Sequence, residues 1–331
     1  MHTLKRLLFS AFAALILSIS WLYLHLHSSV TLPNIPYEFS VQPGSNLKQV
    51  AQQLEDTGII PSKWTFIFLA RYLDRESAIR AGDYQLSQNL TQIALLDYLV
   101  KGDAKQTEIR FIEGSTFAQL RKILNEHPAI KHDSTDLTEK EILQRLGASE
   151  TAAEGLFFPD TYYFIKGSSD LEILQRAYQA MQQNLQHAWS DRAEALPVTT
   201  PYEALILASI IEKETALESD RNEIAGVFVN RLRKGMRLQT DPTIIYGLGD
   251  KFDGNLRKQD LLADQEYNTY TRAGLPPTPI ASPGLASIHA ALNTAQTEAL
   301  YFVAKGNGES HFSNNLTDHN KAVEKYQKQQ K

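Results

Sequence analysis

The segment Pro201 to Glu214, PYEALILASIIEKE, ends a strongly apolar run with two carboxylates. Leu205, Ile206, Leu207, Ala208, Ile210 and Ile211 point in nearly every direction around a helix, and a helix apolar all round is buried. At ~100° per residue, Glu214 continues the stripe made by Leu207, Ile210 and Ile211, while Glu212 lies ~200° away from it. The two acids therefore face different surroundings and are not a catalytic pair. Desolvation and the negative end of the helix dipole both hold the proton on Glu214. A carboxylic acid kept neutral near pH 7 is what a general acid for glycosidic cleavage needs. The competing reading makes Glu-Lys-Glu a solvated helix end paired with Arg or Lys.

Other polar residues are candidates for holding such a substrate. Gln239, Thr240 and Asp241 form one block, although Asp241 before Pro242 is also a common turn pair. Asn268, Thr269 and Tyr270 offer an amide, a hydroxyl and a ring, or else they support a loop. Tyr246 is a stacking ring or a core ring. Lys305, His311 and Phe312 flank the glycine-rich hairpin KGNGESHF. Neither HExxH, a P-loop nor GxGxxG occurs, so no metal or cofactor is expected. The chain has no cysteine, which removes disulfides and thiolate chemistry. Its formal charge of -5 argues against nucleic acid.

These residues need a scaffold, and the sequence outlines one. Leu7 to Leu26 is an apolar run of bilayer-spanning length preceded by Lys5 and Arg6. It predicts a single anchor with the N-terminus in the cytoplasm and the rest outside; the alternative is a cleaved signal peptide. Residues 28–37 carry two prolines and read as a linker. The stretch 38–107 holds alternating segments, Gly-Ser turns and capped amphipathic helices, as in Phe39 to Asn46 leading into LKQVAQQLEDTG. Such units resemble LysM-like glycan-binding modules; a generic α/β spacer is the alternative. A strand and helix region covers 108–150, beginning with Ile109 to Thr116, and a further domain covers 151–331.

In that last domain EGLFFPDTYYF, Glu154 to Phe164, predicts core for Phe157 and Phe164 and groove positions for Tyr162 or Tyr163. Thr200-Pro201-Tyr202-Glu203 predicts a capping box with proline at the first helical position. Ser219 is expected to cap a helix ending near Gly235, and Ser282 one running from Pro283 to about Asn293. A strand at Leu300 to Ala304 and a terminal helix from about Thr317 complete an α+β, mostly helical domain.

Six blocks follow one another in order: Ala208 to Thr215 (ASIIEKET), Val229 to Leu232 (VNRL), Met236 to Thr243 (MRLQTDPT), Tyr267 to Tyr270 (YNTY), Gly274 to Pro277 (GLPP) and Tyr301 to Gly306 (YFVAKG). Together they resemble the endolytic murein transglycosylase family, also called YceG-like. The resemblance implies an α+β catalytic domain behind a LysM-like subdomain and a membrane anchor. It implies cleavage between N-acetylmuramic acid and N-acetylglucosamine of peptidoglycan glycan strands, leaving 1,6-anhydromuramic ends. The family's catalytic glutamate falls on Glu214. Thr278 and Asn315 depart from residues common in the family, and neither touches the acid. Topology adds two expectations: the inner membrane, held through residues 7–26, and penicillin-binding synthases as partners in ending strand growth. Two rival functions stay open: a muramidase with Asp241 as second carboxylate, and a tethered glycan-binding scaffold without catalysis.

Overall fold

The computed structural model describes residues 30, 32, 34–42, 44–102, 107–215 and 217–328. The expected anchor at Leu7 to Leu26 lies outside them. Among the described residues no helix is long and apolar enough to cross a membrane. The fold is mixed α+β, and the chain forms two compact units.

The first unit comprises the described residues up to Thr107 together with Tyr163–Gly167. Strand β1 (Tyr37–Val41) pairs antiparallel with β2 (Gly82–Leu86), placing Phe39 opposite Tyr84 with their rings stacked. Helices α1 (Leu47–Asp56), α2 (Lys63–Tyr72) and α3 (Gln92–Lys101) supply the rest of its core. Asn46 and Gln49 close a reciprocal capping box at the start of α1, and Thr91 caps α3. Val30 belongs to this core, and its N–H donates to the Leu90 carbonyl at 2.6 Å. Packing thus reaches back into the proline-bearing stretch that reads as linker, because a branched apolar side chain there finds a buried place.

The second unit holds Glu108–Tyr162 and Ser168–Lys331. It contains most of strand β3 (Thr107–Arg110) and the first half of β4 (Thr161–Phe164). Helices α4 (Phe117–Glu126) and α5 (Glu139–Leu146) both begin with capping boxes, from Thr116 and Thr138. The long α6 (Asp170–Ser190) precedes α7 (Pro201–Glu214), which packs against α6, α8 (Glu218–Arg233), α9 (Asp241–Leu248) and α11 (Leu285–Leu292). The short α10 (Lys258–Leu262) lies between α9 and α11 in sequence. Hairpin strands β5 (Tyr301–Ala304) and β6 (Ser310–Ser313) and helix α12 (Leu316–Val323) complete the unit.

Every residue of α7 from Ala204 to Ile211 is buried. At roughly 2 kcal/mol per fully buried Leu or Ile, its five large aliphatic side chains contribute on the order of 10 kcal/mol before chain entropy is counted. The one hydroxyl of that buried stretch, on Ser209, donates to the Ile206 carbonyl and accepts from the Ile280 N–H, so nothing polar is stranded there.

Cap details differ from the sequence expectation at three places. Thr200 does cap α7 through the Glu203 N–H, but the Glu203 carboxylate turns back to Thr199. Helix α8 starts two residues early, with Leu217 at the cap, and Ser219 instead donates to Asp220. Helix α11 starts after Gly284, whose N–H is taken by Glu212, while Ser282 is buried behind it. At α11 a carboxylate brought from elsewhere in the chain outcompetes the local serine, whereas the cap residue of α8 makes no side-chain cap hydrogen bond. Phe157 and Phe164 are buried as expected; Tyr162 is also buried, donating to the Phe158 carbonyl, and Tyr163 is exposed.

Candidate active site

Helix α7 delivers Glu214 from its all-apolar body to the edge of a cleft of about 610 Å³. The side chain is half-buried, and its carboxylate accepts a hydrogen bond from the Thr240 hydroxyl. Burial pushes its pKa from 4.5 up to about 7; the Thr240 hydrogen bond lowers it, and the negative charge of Asp241 adds to the rise. Glu212, two residues earlier, accepts instead from the Gly284 N–H at 2.9 Å. The helical phase thus separates the acids as their spacing requires.

Thr240 reaches Glu214 because a loop is locked in place. Gln239 adopts φ +54, a left-handed conformation for a non-glycine residue that costs on the order of 1 kcal/mol or more. Its N–H donates to the Thr269 carbonyl, and the Thr240 N–H donates to the Thr269 hydroxyl, both at 3.1 Å. Thr243 and Thr269 share a further hydroxyl contact at 2.9 Å. Behind them Arg231 is buried. Its guanidinium donates to the carbonyls of Leu300 (2.7 Å), Leu238 (2.8 Å) and Arg237 (3.1 Å) and to the Gln239 side-chain oxygen (3.3 Å). It also lies 5.0 Å from the centre of the Tyr301 ring. One side chain from α8 thereby ties β5 to the loop that carries Thr240. Sequence reasoning passed over Arg231 as a site support. The available signal was its place in VNRL, where a cation follows a run of buried apolar residues.

The candidate residues fall into four groups. Glu214, Gln239, Thr240, Asp241 and Tyr270 line one cleft, and the Tyr270 hydroxyl donates to Asp241 at 2.6 Å. Burial and the neighbouring Asp241 raise the pKa of the Tyr270 hydroxyl, so it stays a donor. Asn268 and Thr269 are buried beneath that cleft. The Asn268 amide donates to the carbonyls of Asp260, Leu261 and Ala263 and accepts from the Tyr270 N–H, which spends its hydrogen-bonding capacity on the protein. Lys305, His311 and Phe312 lie on the hairpin, where Lys305 pairs with Glu309, His311 with the Tyr326 ring and Phe312 with Phe302. From that hairpin it is Tyr301, Phe302, Val303 and Ala304 that line the cleft.

Tyr246 lines a different cavity, of about 900 Å³, together with Phe117, Tyr267, Lys213 and Glu154. Glu154 is nearly fully buried, and burial raises its pKa to about 7. Its carboxylate accepts from the Phe117 N–H at 3.0 Å and from the Tyr246 hydroxyl. Sequence reasoning attended to the rings after Glu154 and missed the acid itself, although an acid beside four consecutive small or apolar residues was the sign. Among the described residues no group of three or more His, Cys, Asp or Glu is arranged to hold a metal ion.

Residues 39–325 match the sequence profile of the YceG-like family. A Bacillus subtilis protein named endolytic murein transglycosylase is 32% identical over 312 residues, covering 87% of this chain and 84% of the relative. A protein of the same name from Streptococcus pneumoniae serotype 2 is 30% identical over 319 residues, and there the match spans only 57% of the relative's length. A crystal structure of a yceG-like protein from Listeria monocytogenes superposes with a TM-score of 0.56 at 30% identity, covering 86% of this chain and 98% of that one.

Proposed function

The chain belongs to the YceG-like family, and from that premise we propose that it is a lytic transglycosylase that cuts peptidoglycan glycan strands internally with Glu214 as its acid. The observation that carries this reading is a carboxyl at a cleft edge, enclosed by apolar helix and oriented by Thr240, whose pKa is about 7. Neutral Glu214 gives its proton to the bridging oxygen as the bond to C1 of N-acetylmuramic acid breaks. The resulting carboxylate then takes the proton of the C6 hydroxyl of the same sugar, whose oxygen closes on C1. The acid is regenerated, and the product ends in a 1,6-anhydro ring. Because the attacking group is already part of the substrate, no second carboxylate and no water are required.

Thr240 fixes the carboxyl's orientation, and Asp241 favours its protonated form. Gln239 and Tyr270 contact the sugars from the cleft wall, and Asn268 and Thr269 act from beneath by shaping the loop. Lys305, His311 and Phe312 stiffen the hairpin whose first strand borders the cleft. Residues 7–26 anchor the chain in the inner membrane, the first unit is a LysM-like module beside it, and the second unit, in the periplasm, cuts strands as synthases of the penicillin-binding class extend them.

Mass spectrometry of sacculi digested with the full-length chain tests the reaction. Anhydro ends that vanish with Glu214→Gln are expected. Reducing ends would replace the lytic reading with a two-carboxylate hydrolase, and unchanged cutting by the variant would remove Glu214 from the chemistry.

A further inference from the structure

The Glu154 cavity and the Glu214 cleft flank the same two helix ends. At the end of α7, Lys213 lines the cavity and Glu214 the cleft; at the start of α9, Pro242 lines the cavity and Asp241 the cleft. Consecutive Cα atoms are ~3.8 Å apart, so the two openings adjoin across that ridge. A strand cut internally has sugars on both sides of the scissile bond, and an enzyme that cuts there must hold both. The cavity offers the rings of Phe117, Tyr246 and Tyr267 around a single buried carboxyl, the mixture of apolar wall and few polar groups that small-molecule sites use.

We infer that this cavity holds N-acetylated sugar units of the glycan strand on the far side of the bond cut at Glu214, and that it is what lets the enzyme cut within a strand. The inference rests on the reaction proposed above. Pyranoses present C–H faces to aromatic rings and hydroxyl or amide groups to a carboxyl. Burial keeps Glu154 neutral through mildly acidic pH, so it offers an O–H as well as acceptors to an uncharged ligand. The cations at the rim are already engaged: Lys213 donates to the Gly114 carbonyl and Arg121 to the carbonyls of Ser134 and Thr135. That favours sugar over the charged stem peptide as the occupant.

Ala118 is exposed on α4 and lines the cavity, so it can be enlarged without entering the core. In Ala118→Trp, KM for long peptide-free strands should rise about tenfold with kcat little changed, and cuts should move from the interior to one end. Internal cutting with unaltered KM in an Ala118→Trp chain that melts like the parent would overturn the proposal. A second measurement avoids any effect of bulk. The chain has no cysteine, so Ala118→Cys in a Glu214→Gln background carries one thiol. Saturating peptide-free glycan should slow its alkylation about tenfold; an unprotected thiol would overturn the proposal. A parent chain that cuts no glycan would instead refute the reaction itself, so the two failures are distinct.

Discussion

Replacing Glu214 by Gln should stabilise the protein at pH 8 and leave it nearly unchanged at pH 4.5. The unfolded carboxyl titrates near 4.5 and the folded one near 7. Between these values the folded state binds more protons than the unfolded state, so stability falls as pH rises, and the loss is complete once pH exceeds the folded value. At ~1.4 kcal/mol per tenfold shift in proton affinity, the full penalty is about 3 kcal/mol. Glu214 is half-buried and its cleft admits water, so about half of that, on the order of 1.5 kcal/mol, is the better expectation. Gln keeps the shape and an oxygen for the Thr240 hydroxyl but carries no ionisation penalty. For a unit of this size the gain corresponds to a rise in Tm of roughly 3–6 °C at pH 8. Glu154 titrates in the same range but is present in both proteins, so the difference between them isolates Glu214. Scanning calorimetry of both chains at pH 4.5, 6, 7 and 8 measures it. A difference in Tm that stays flat across that series, or a variant less stable at pH 8, would refute the claim that burial holds the proton.

On the proposed mechanism the same group would set the activity profile, and kcat/KM should fall with a midpoint near pH 7 as Glu214 loses its proton; activity still climbing at pH 9 would contradict it. Asp241→Asn should move that falling limb to lower pH, because the charge of Asp241 helps to raise the acid, while the products keep their anhydro ends. Reducing ends lost in that variant would favour the two-carboxylate hydrolase. Arg231→Lys should destabilise by about 2–4 kcal/mol, since an ammonium cannot reproduce the fork that meets the Leu300, Leu238 and Arg237 carbonyls, and calorimetry should show a Tm lower by several degrees.

What the sequence made legible follows from the range of the forces involved. The surroundings of Glu214 could be read because they are set by one helix: eight consecutive buried residues and a fixed angle per residue decide where the last carboxyl points. Caps built from neighbours were legible for the same reason, as at Asn46, Thr116 and Thr138. Ser219 and Ser282 were not: Ser219 lies inside its helix and turns to Asp220, and at the start of α11 the partner comes from a residue distant in sequence. Glu212 at the Gly284 N–H is 72 residues away.

The same distinction explains the site residues. Tyr-Asn-Thr-Tyr offers donors, acceptors and rings, and nothing in four letters says which of them face a ligand. Three-dimensional packing decides it: Asn268 donates to carbonyls of α10 and of Ala263, Thr269 braces Thr240, Tyr270 reaches the Glu214 cleft and Tyr267 lines the neighbouring cavity. Arg231 makes the converse point. A buried guanidinium is tolerable only where several oxygens converge on it, and here they come from Leu300, just before β5, and from the loop at residues 237–239. The residue that presents the acid is thus specified locally, whereas the residues that orient and charge it are specified by contacts across the unit. Substitutions at Arg231 or Thr269 should therefore alter the pH profile and the melting temperature together, while changes confined to the cleft wall, as at Tyr270, should reach activity with a smaller effect on stability.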